Sequence, residues 1–253
     1  MPKRDLDFVK PILNAAGTLG FAPDSRMPIL WEELGAFITN PISMRPRFPA
    51  ETPQLVEFPG GFLLHTGLPN PGFRSCLNHF SRAWSQARLP IIVHLMADRP
   101  DETRQMVAAL EGVDNVLAVE LGFAPLLADD LILLAVEMGI GELPVIVNLA
   151  AGQLLRLGPR VLETGAIACS LAAPRGALDH AGVVVSGRLL GPSLFPLSLQ
   201  SVQAATKLGL PLIGSNGIFS DASAHLMLEA GAMAVEVDAL LWLPTQKKKS
   251  LVA

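Results

Sequence analysis

Residues 210–240 read LPLIGSNGIFSDASAHLMLEAGAMAVEVDAL, and this stretch decides the fold. It begins with a short apolar run at 211–215, continues with an amphipathic segment at 221–230, and ends with a second apolar run at 234–240. The two apolar runs predict buried strands, and the segment between them predicts a helix that ends at Gly231. A strand, a helix and a second strand make one unit of a parallel sheet.

The same alternation of strand-like and helix-like segments occupies the whole chain. The helix-like segment at 101–110 follows a proline and opens with acidic residues, as helix N-termini often do. The strand-like runs are residues 12–16, 36–40, 90–96, 116–122, 144–149, 166–171, 211–215 and 234–240. Eight strands alternating with helices predict the α/β class and a TIM (β/α)8 barrel. We assign residues 1–246 to one barrel domain and expect the basic C-terminal tail, 247–253, to be disordered.

Composition and charge limit the cellular environment and the classes of partner that we expect for this chain. The net charge of −4 offers no basic surface for nucleic acid, and no apolar run reaches the roughly 20 residues that cross a bilayer. Two cysteines, Cys76 and Cys169, are too few for a disulfide framework, so we expect a cytoplasmic protein. We expect a small-molecule ligand or a protein partner, including a second copy in a homodimer, and no metal site.

Two connections are too long to be simple loops. Residues 41–73 follow the second strand and residues 172–196 follow the sixth. Segments that follow barrel strands lie on the carboxyl-terminal face, where such folds carry their sites. We therefore expect the functional site at that face.

Segments in order along the chain resemble the dihydroorotate dehydrogenase family. They are KPILNAAGTLGF (10–21), GAFITNPISMRPR (35–47), LLHTGLPNPGF (63–73), LPVIVNLAAG (143–152), SGRLLGPSLFPLSLQSV (186–202), LPLIGSNGIFS (210–220) and LEAGAMAVEVDALLW (228–242). The resemblance implies FMN across the barrel mouth, with its phosphate on backbone amides after strands seven and eight. It also implies oxidation of dihydroorotate to orotate, a reaction of pyrimidine biosynthesis.

The chain departs from the resembled family where that family carries its chemistry. Family lysines at the ends of strands two and five read Asn40 and Asn148 here, and the family's substrate asparagine reads Leu64. A cation beside the flavin stabilises its anionic reduced form, which a neutral amide does not. After strand four, residues 120–125 lead straight toward a helix, without the loop that carries the family's Cys or Ser base.

Asp238 stands where the resembled family has a glycine after strand eight. Strand alternation places Asp238 and Glu236 on the barrel interior, with Asp238 nearer the mouth. A carboxylate there would repel a phosphate dianion by a few kcal/mol at an effective dielectric near ~20, unless an arginine such as Arg188 neutralises it. The alternative is that Asp238 points away and caps a turn.

The candidate acid or base is His65, since a histidine near the mouth titrates in a useful range, although it could equally stabilise its loop. We expect Cys169 and His94 to be interior residues. The remaining candidates for binding a ligand or cofactor are Ala16, Gly17, Asn40, Thr66, Gly67, Asn70, Asn148, Gly187, Gly191, Gly214, Asn216, Gly217 and Asp238.

Three functions follow from these residues. The first is a diverged barrel, a pseudoenzyme that does not oxidise dihydroorotate and acts as a ligand-binding or partner protein. The second is an FMN-dependent oxidoreductase acting on another small substrate, in a neutral pocket made by Asn40, His65 and Asn148. The third is a barrel that binds a non-flavin ligand. Asp238 and the two missing lysines count against FMN.

Overall fold

The computed structural model describes residues 6–51 and 55–242, and twelve strands occur within them. In chain order the strands are β1 (Ile12–Asn14), β2 (Phe37–Ile38), β3 (Leu55–Phe58), β4 (Gly61–Leu64), β5 (Ile91–Met96), β6 (Val116–Gly122), β7 (Val145–Leu149), β8 (Ala168–Leu171), β9 (Arg175–His180), β10 (Val183–Leu190), β11 (Leu212–Ser215) and β12 (Ala234–Val237). Eight of them form a parallel sheet, and the other four form a second, antiparallel sheet.

The parallel sheet curls into a barrel. Its strands neighbour one another in the order β1, β12, β11, β8, β7, β6, β5, β2. A parallel bridge between Leu13 and Ala36 joins the two end strands, so the ring is nearly closed. Each predicted strand-like run contains one of these eight strands, which confirms the TIM barrel. The observed strands are mostly shorter than predicted, and the last one ends at Val237 because the chain then turns into a 3-10 helix, Ala239–Trp242.

Alternation along the strands separates an inner from an outer core. The inner core contains one or two buried residues from seven of the barrel strands, namely Leu13, Ala36, Ile38, Ile92, Ala118, Ile146, Ile213 and Ala234. Intervening residues such as Val93, Leu121 and Val147 belong to the larger cluster between the barrel and its helices. Both faces of the strands are therefore apolar at this level, as a barrel surrounded by helices requires.

Helices cover the outside of the barrel. They are α1 (Phe73–Ser85), α2 (Pro100–Leu110), α3 (Asp129–Gly139), α4 (Ala151–Thr164), α5 (Phe195–Lys207) and α6 (Asp221–Glu229). The predicted start of α2 is confirmed: a proline opens it, and Asp101 and Glu102 lie in its first turn. Ser220 and Ser223 form a capping box at the start of α6, and Gly231 with φ of 103° follows its end. Beside these six, the short 3-10 helices Trp31–Glu33 and Pro192–Leu194 precede β2 and α5.

The two long connections pair with each other over the mouth of the barrel. Strands β3 and β4 lie in the first connection and β9 and β10 in the second, and they join in the order β3, β4, β10, β9. The link between the connections is the antiparallel register of Leu64 with Arg188. The connections are thus a small sheet rather than loops.

Some predictions concern parts of the chain beyond this description. The tail at 247–253 lies outside the described residues, as do residues 1–5 and 52–54. No helix in the described segments is both long and apolar enough to cross a membrane.

Candidate active site at the barrel mouth

A cavity of about 540 Å³ opens between the carboxyl ends of the barrel strands and the four-stranded sheet. Volumes of this size suit small-molecule ligands. The walls come from the ends of β1, β5, β6, β7, β11 and β12 and from residues of both long connections. The location agrees with the prediction that the site lies on the carboxyl-terminal face.

Nine of the predicted site residues line this cavity. They are Ala16, Gly17, His65, Thr66, Gly67, Asn148, Gly187, Asn216 and Asp238. The remaining five, which are Asn40, Asn70, Gly191, Gly214 and Gly217, do not. About two thirds of the candidate set therefore lie together, and they come from six separate segments of the chain.

The five residues outside the cavity have structural contacts. Asn40 accepts a hydrogen bond from the Gly20 amide through Oδ1 at 3.1 Å, and Asn70 accepts one from the Gly72 amide at 3.0 Å. Gly214 points to the helix side of β11, where Met227 and Val202 pack against it. Gly191 lies against Gly60 and Gly61, and Gly217, with φ of 75°, lies against the first residue of α5.

A polar layer forms the floor of the cavity, one step along the strands beyond the inner apolar core. His94 Nδ1 lies 2.5 Å from Glu120 Oε2, and Ser170 Oγ donates to Glu120 Oε1 at 2.5 Å. Asn148 Nδ2 donates to Ser170 Oγ at 2.8 Å. Register explains the pairing, because His94 is the strand partner of Glu120 and Asn148 is the strand partner of Ser170. Asn148 therefore belongs to a buried hydrogen-bond network.

The two glutamates of this floor have opposite protonation tendencies. Burial acts to raise the pKa of Glu120, but the charge of His94 and hydrogen bonds from His94, Ser170 and Glu236 lower it overall. Burial, followed by the neighbouring Glu120 charge, raises the pKa of Glu236 well above its ordinary value. Glu120 is therefore the carboxylate and Glu236 the neutral acid of the floor. Glu236 Oε1 is buried without a hydrogen-bond partner among residues 6–51 and 55–242.

Sequence reasoning did not identify Glu120 and Ser170 as site residues, and it treated His94 as an interior residue. His94 is indeed buried, at 7% exposure, but it also lines the cavity. The signal that could have found these residues is positional. His94 and Glu120 lie two positions after the inner-core residues Ile92 and Ala118, and Ser170 lies two positions after the buried Ala168, each on the same strand face.

Arginines supply the positive charge of the cavity. Arg175 on β9 and Arg188 on β10 are strand partners, and both line the cavity together with Arg47. Arg188 donates to the Ala16 carbonyl at 3.3 Å. Burial and the Arg175 cation lower the pKa of Arg188, while the more distant Asp238 opposes that shift. Within the described part of the chain, no carboxylate forms a salt bridge with either arginine of the β9–β10 pair.

The connection after β6 is short. It runs from residue 123 to residue 128, before α3 begins, and contains neither serine nor cysteine. Asp98 fixes this connection by accepting the Ala124 amide at 2.6 Å. Cys169 is an interior residue, as predicted: it faces the helix layer, and burial raises its pKa to about 12. Neither position supplies a nucleophile or a base to the cavity.

Asp238 lies at the cavity as strand alternation predicted, buried at 6% exposure. Its Oδ1 accepts the Ala239 amide at 2.5 Å, so the carboxylate takes an amide that follows the last strand. Burial raises the pKa of Asp238, and that backbone hydrogen bond and the charge of Arg188 oppose the rise. Arg188 forms no salt bridge with Asp238 in the described chain. A flavin phosphate where the resemblance places it would meet an acidic side chain on an amide already in use, so the residues present do not fit that group.

Comparison with known proteins gives a consistent result. Residues 4–123 match the family model described as dihydroorotate dehydrogenase. The chain is 28% identical over 256 residues to the dihydroorotate dehydrogenase B (NAD(+)) catalytic subunit of Trichlorobacter lovleyi, covering 92% of this chain and 84% of that protein. The same-named subunit of Citrifermentans bemidjiense is 28% identical over 90% of this chain and 82% of its own. That of Geotalea daltonii is 27% identical over 96% and 87%.

Proposed function

We propose that the chain is a diverged member of the dihydroorotate dehydrogenase family, to which its sequence is similar, and that it binds a small organic anion at the barrel mouth. In this proposal the protein does not oxidise dihydroorotate and is a pseudoenzyme with respect to that reaction. Fold alone does not determine chemistry, so the proposal rests on the side chains of the cavity.

The observation that carries the proposal is the arginine pair Arg175 and Arg188. Two cations on adjacent strands face one cavity without a salt-bridge partner in the described chain. Like charges so placed repel each other, and a bound carboxylate between them relieves that repulsion and can accept two hydrogen bonds. An anionic ligand is therefore the molecule that this wall favours.

The absence of the parent reaction is supported by the floor and by the β6 connection. Proton abstraction in the resembled reaction needs a base on the loop after the fourth strand, and residues 123–128 offer none. Asn40 is bonded to Gly20 away from the cavity, and Asn148 is bonded to Ser170, so neither supplies the charge of the family lysines. Asp238 disfavours the flavin phosphate, and we therefore derive no step through FMN.

Calorimetric titration with orotate tests anion binding. We choose this probe because it carries a carboxylate and is the product of the resembled reaction. We expect binding by the wild-type protein and at least a tenfold loss of affinity in Arg175→Ala, since a charge-assisted hydrogen bond contributes about 1.5 to 3 kcal/mol. The matched control is Arg160→Ala, which removes an exposed arginine of α4 that does not line the cavity and leaves affinity unchanged.

Two results would overturn the proposal. Equal orotate affinity in Arg175→Ala and Arg160→Ala would show that the arginine wall is not the binding surface. Dihydroorotate-dependent dye reduction by the purified protein, with FMN added, would show that the parent reaction persists and would favour a working flavoprotein.

A further inference from the structure

One nitrogen of the floor network, His94 Nε2, lies beside Gly122, and both residues line the cavity. Nδ1 of His94 is engaged with Glu120, whereas Nε2 has no hydrogen-bond partner among residues 6–51 and 55–242. His94 is only 7% exposed and lines the cavity, so a molecule reaches Nε2 only from inside it. The imidazole thus presents a single working atom to a bound ligand.

The environment of Glu120 fixes which nitrogen carries the proton. Its Oε1 accepts Ser170 Oγ–H, and its Oε2 faces His94 Nδ1. In neutral His94, the hydrogen bond to this carboxylate favours the Nδ1–H tautomer, in which Nε2 has a free lone pair. The same arrangement stabilises the imidazolium that forms if Nε2 takes a proton.

The end of β6 makes room for this orientation. A Cβ at Gly122 would overlap the His94 ring at Nε2 and lie 2.8 Å from its Cε1. Gly122 stands in the segment that leads into the shortened connection, on the same strand face as Glu120. The absence of a side chain at Gly122 therefore leaves the space that His94 Nε2 faces.

We propose that His94 is a proton acceptor of this cavity, acting through Nε2 on a weakly acidic N–H, O–H or C–H of a bound organic anion, with Glu120 as its positioning residue. In the step the bond between hydrogen and the ligand atom breaks, its electron pair stays on the ligand, and the proton forms a bond with Nε2. No oxidant or further reactant is needed. The inference rests on the proposed function only for the class of ligand.

Several charged or titratable groups surround His94, and any dependence on pH includes them. Those that line the cavity are Arg47, His65, Asp98, Arg175, Arg188, Glu236 and Asp238, and Glu120 lies beneath. His79 is the useful comparison, because it is exposed on α1 and does not line the cavity.

A probe reaction tests the proton acceptor independently of the natural ligand. Removal of the carbon-bound proton of 5-nitrobenzisoxazole breaks its N–O bond and releases a coloured phenolate, so base strength and access are read directly. We expect the wild-type protein to exceed free imidazole at equal concentration. A positioned base contributes about 10²-fold or more, so His94→Gln should lower the rate at least tenfold.

The controls separate position from structure. His79→Gln, at an exposed residue of α1 that does not line the cavity, should change the rate less than twofold. Glu120→Gln should lower the rate and displace its pH profile, which a purely structural glutamate would not do. If His94→Gln does not fold, as circular dichroism would reveal, diethyl pyrocarbonate treatment of the His65→Gln protein replaces it, with loss of rate tracking modification of His94 by peptide mass.

Equal rates in wild-type protein and folded His94→Gln would overturn the proposal, as would a wild-type rate no greater than that of imidazole. Neither result bears on orotate binding, which tests the proposed function separately. Binding without probe turnover refutes only His94 as the base, and turnover without orotate binding refutes only the anion site.

Discussion

The inner core of the barrel and the floor of its cavity lie on the same strands, two residues apart, and they differ completely in chemistry. The inner core has Ile92, Ala118 and Ile146 at positions where the next residues on the same face are His94, Glu120 and Asn148. The first layer only needs to fill space, whereas the second needs hydrogen-bond partners. Sequence similarity to the family therefore predicts the residues of the first layer better than those of the second.

The cations at the barrel mouth also come from a different part of the chain. In the resembled family the strand ends supply lysines, whereas here Arg175 and Arg188 come from the sheet built by the two long connections. Long connections change with little effect on the barrel, because few core residues depend on them. A site can thus be rebuilt above an unchanged body.

The largest expected effect is a loss of stability when the packing between the barrel and its helices is disrupted. Leu110→Ala empties a fully buried position in α2 and should lower the free energy of unfolding by about 2 to 5 kcal/mol. The matched change Leu126→Ala lies in the connection after β6, where the side chain is 98% exposed, and should stay within about 0.5 kcal/mol. Urea titration measures both. Similar losses of unfolding free energy in the two variants would contradict the distinction between the packed barrel and the connections at its mouth.

The next effect concerns the carboxylate of the floor. Glu120→Gln replaces a buried anion that His94 and Ser170 contact, and it should destabilise the protein by about 2 to 3 kcal/mol at pH 7. A folded-state pKa below the unfolded one contributes stability above the unfolded pKa, which is lost as pH falls through the folded value. The wild-type protein should therefore lose this margin over the variant in acid. An unchanged difference between pH 7 and pH 3 would contradict the assignment.

The neighbouring carboxyl predicts a smaller change of opposite sign. The raised pKa of Glu236 means that the folded state holds a proton which the unfolded state releases, so stability declines as pH rises from the ordinary glutamate value toward the folded one. Glu236→Gln mimics the neutral acid and should raise the free energy of unfolding at pH 7 by about 1 kcal/mol or more. Thermal unfolding at pH 4 and pH 7 checks this, and destabilisation at pH 7 would refute the neutral state.

The smallest expected effect concerns the two cysteines, neither of which should react with a thiol reagent in the folded protein. Cys76 and Cys169 are fully buried, and burial raises the pKa of each thiol to about 12, so thiolate is scarce at pH 8. Ellman's reagent should label neither in the folded protein and both after unfolding in urea. Rapid labelling of Cys169 alone in the folded protein would return it to consideration as the nucleophile of the site.

Most of the barrel could be predicted from the sequence. Apolar runs such as 116–122 coincide with strands because burial on both faces leaves a continuous apolar signal. Alternation also predicted the inward direction of Glu236 and Asp238. Gly214 was predicted to be a site residue, but it does not line the cavity. The same alternation of side-chain directions turns this glycine toward α6.

The small sheet and the floor network were beyond sequence reasoning. The small sheet depends on an antiparallel pairing of Leu64 with Arg188, residues more than a hundred positions apart, and local patterns carry no information on such pairing. The network depends on the exact register of β5 with β6, which brings His94 beside Glu120. Either residue alone has the sequence context of an ordinary interior position.

Flavin retention tests the central claim, that the barrel is kept while its mouth is rebuilt. The purified protein is incubated with excess FMN and desalted, and its absorbance near 450 nm is compared with that of Asp238→Gly treated in the same way. We expect no retained flavin in the wild-type protein, because Asp238 lines the cavity just after the last strand, where the resemblance places the phosphate. One equivalent of FMN bound to the wild-type protein would contradict the account.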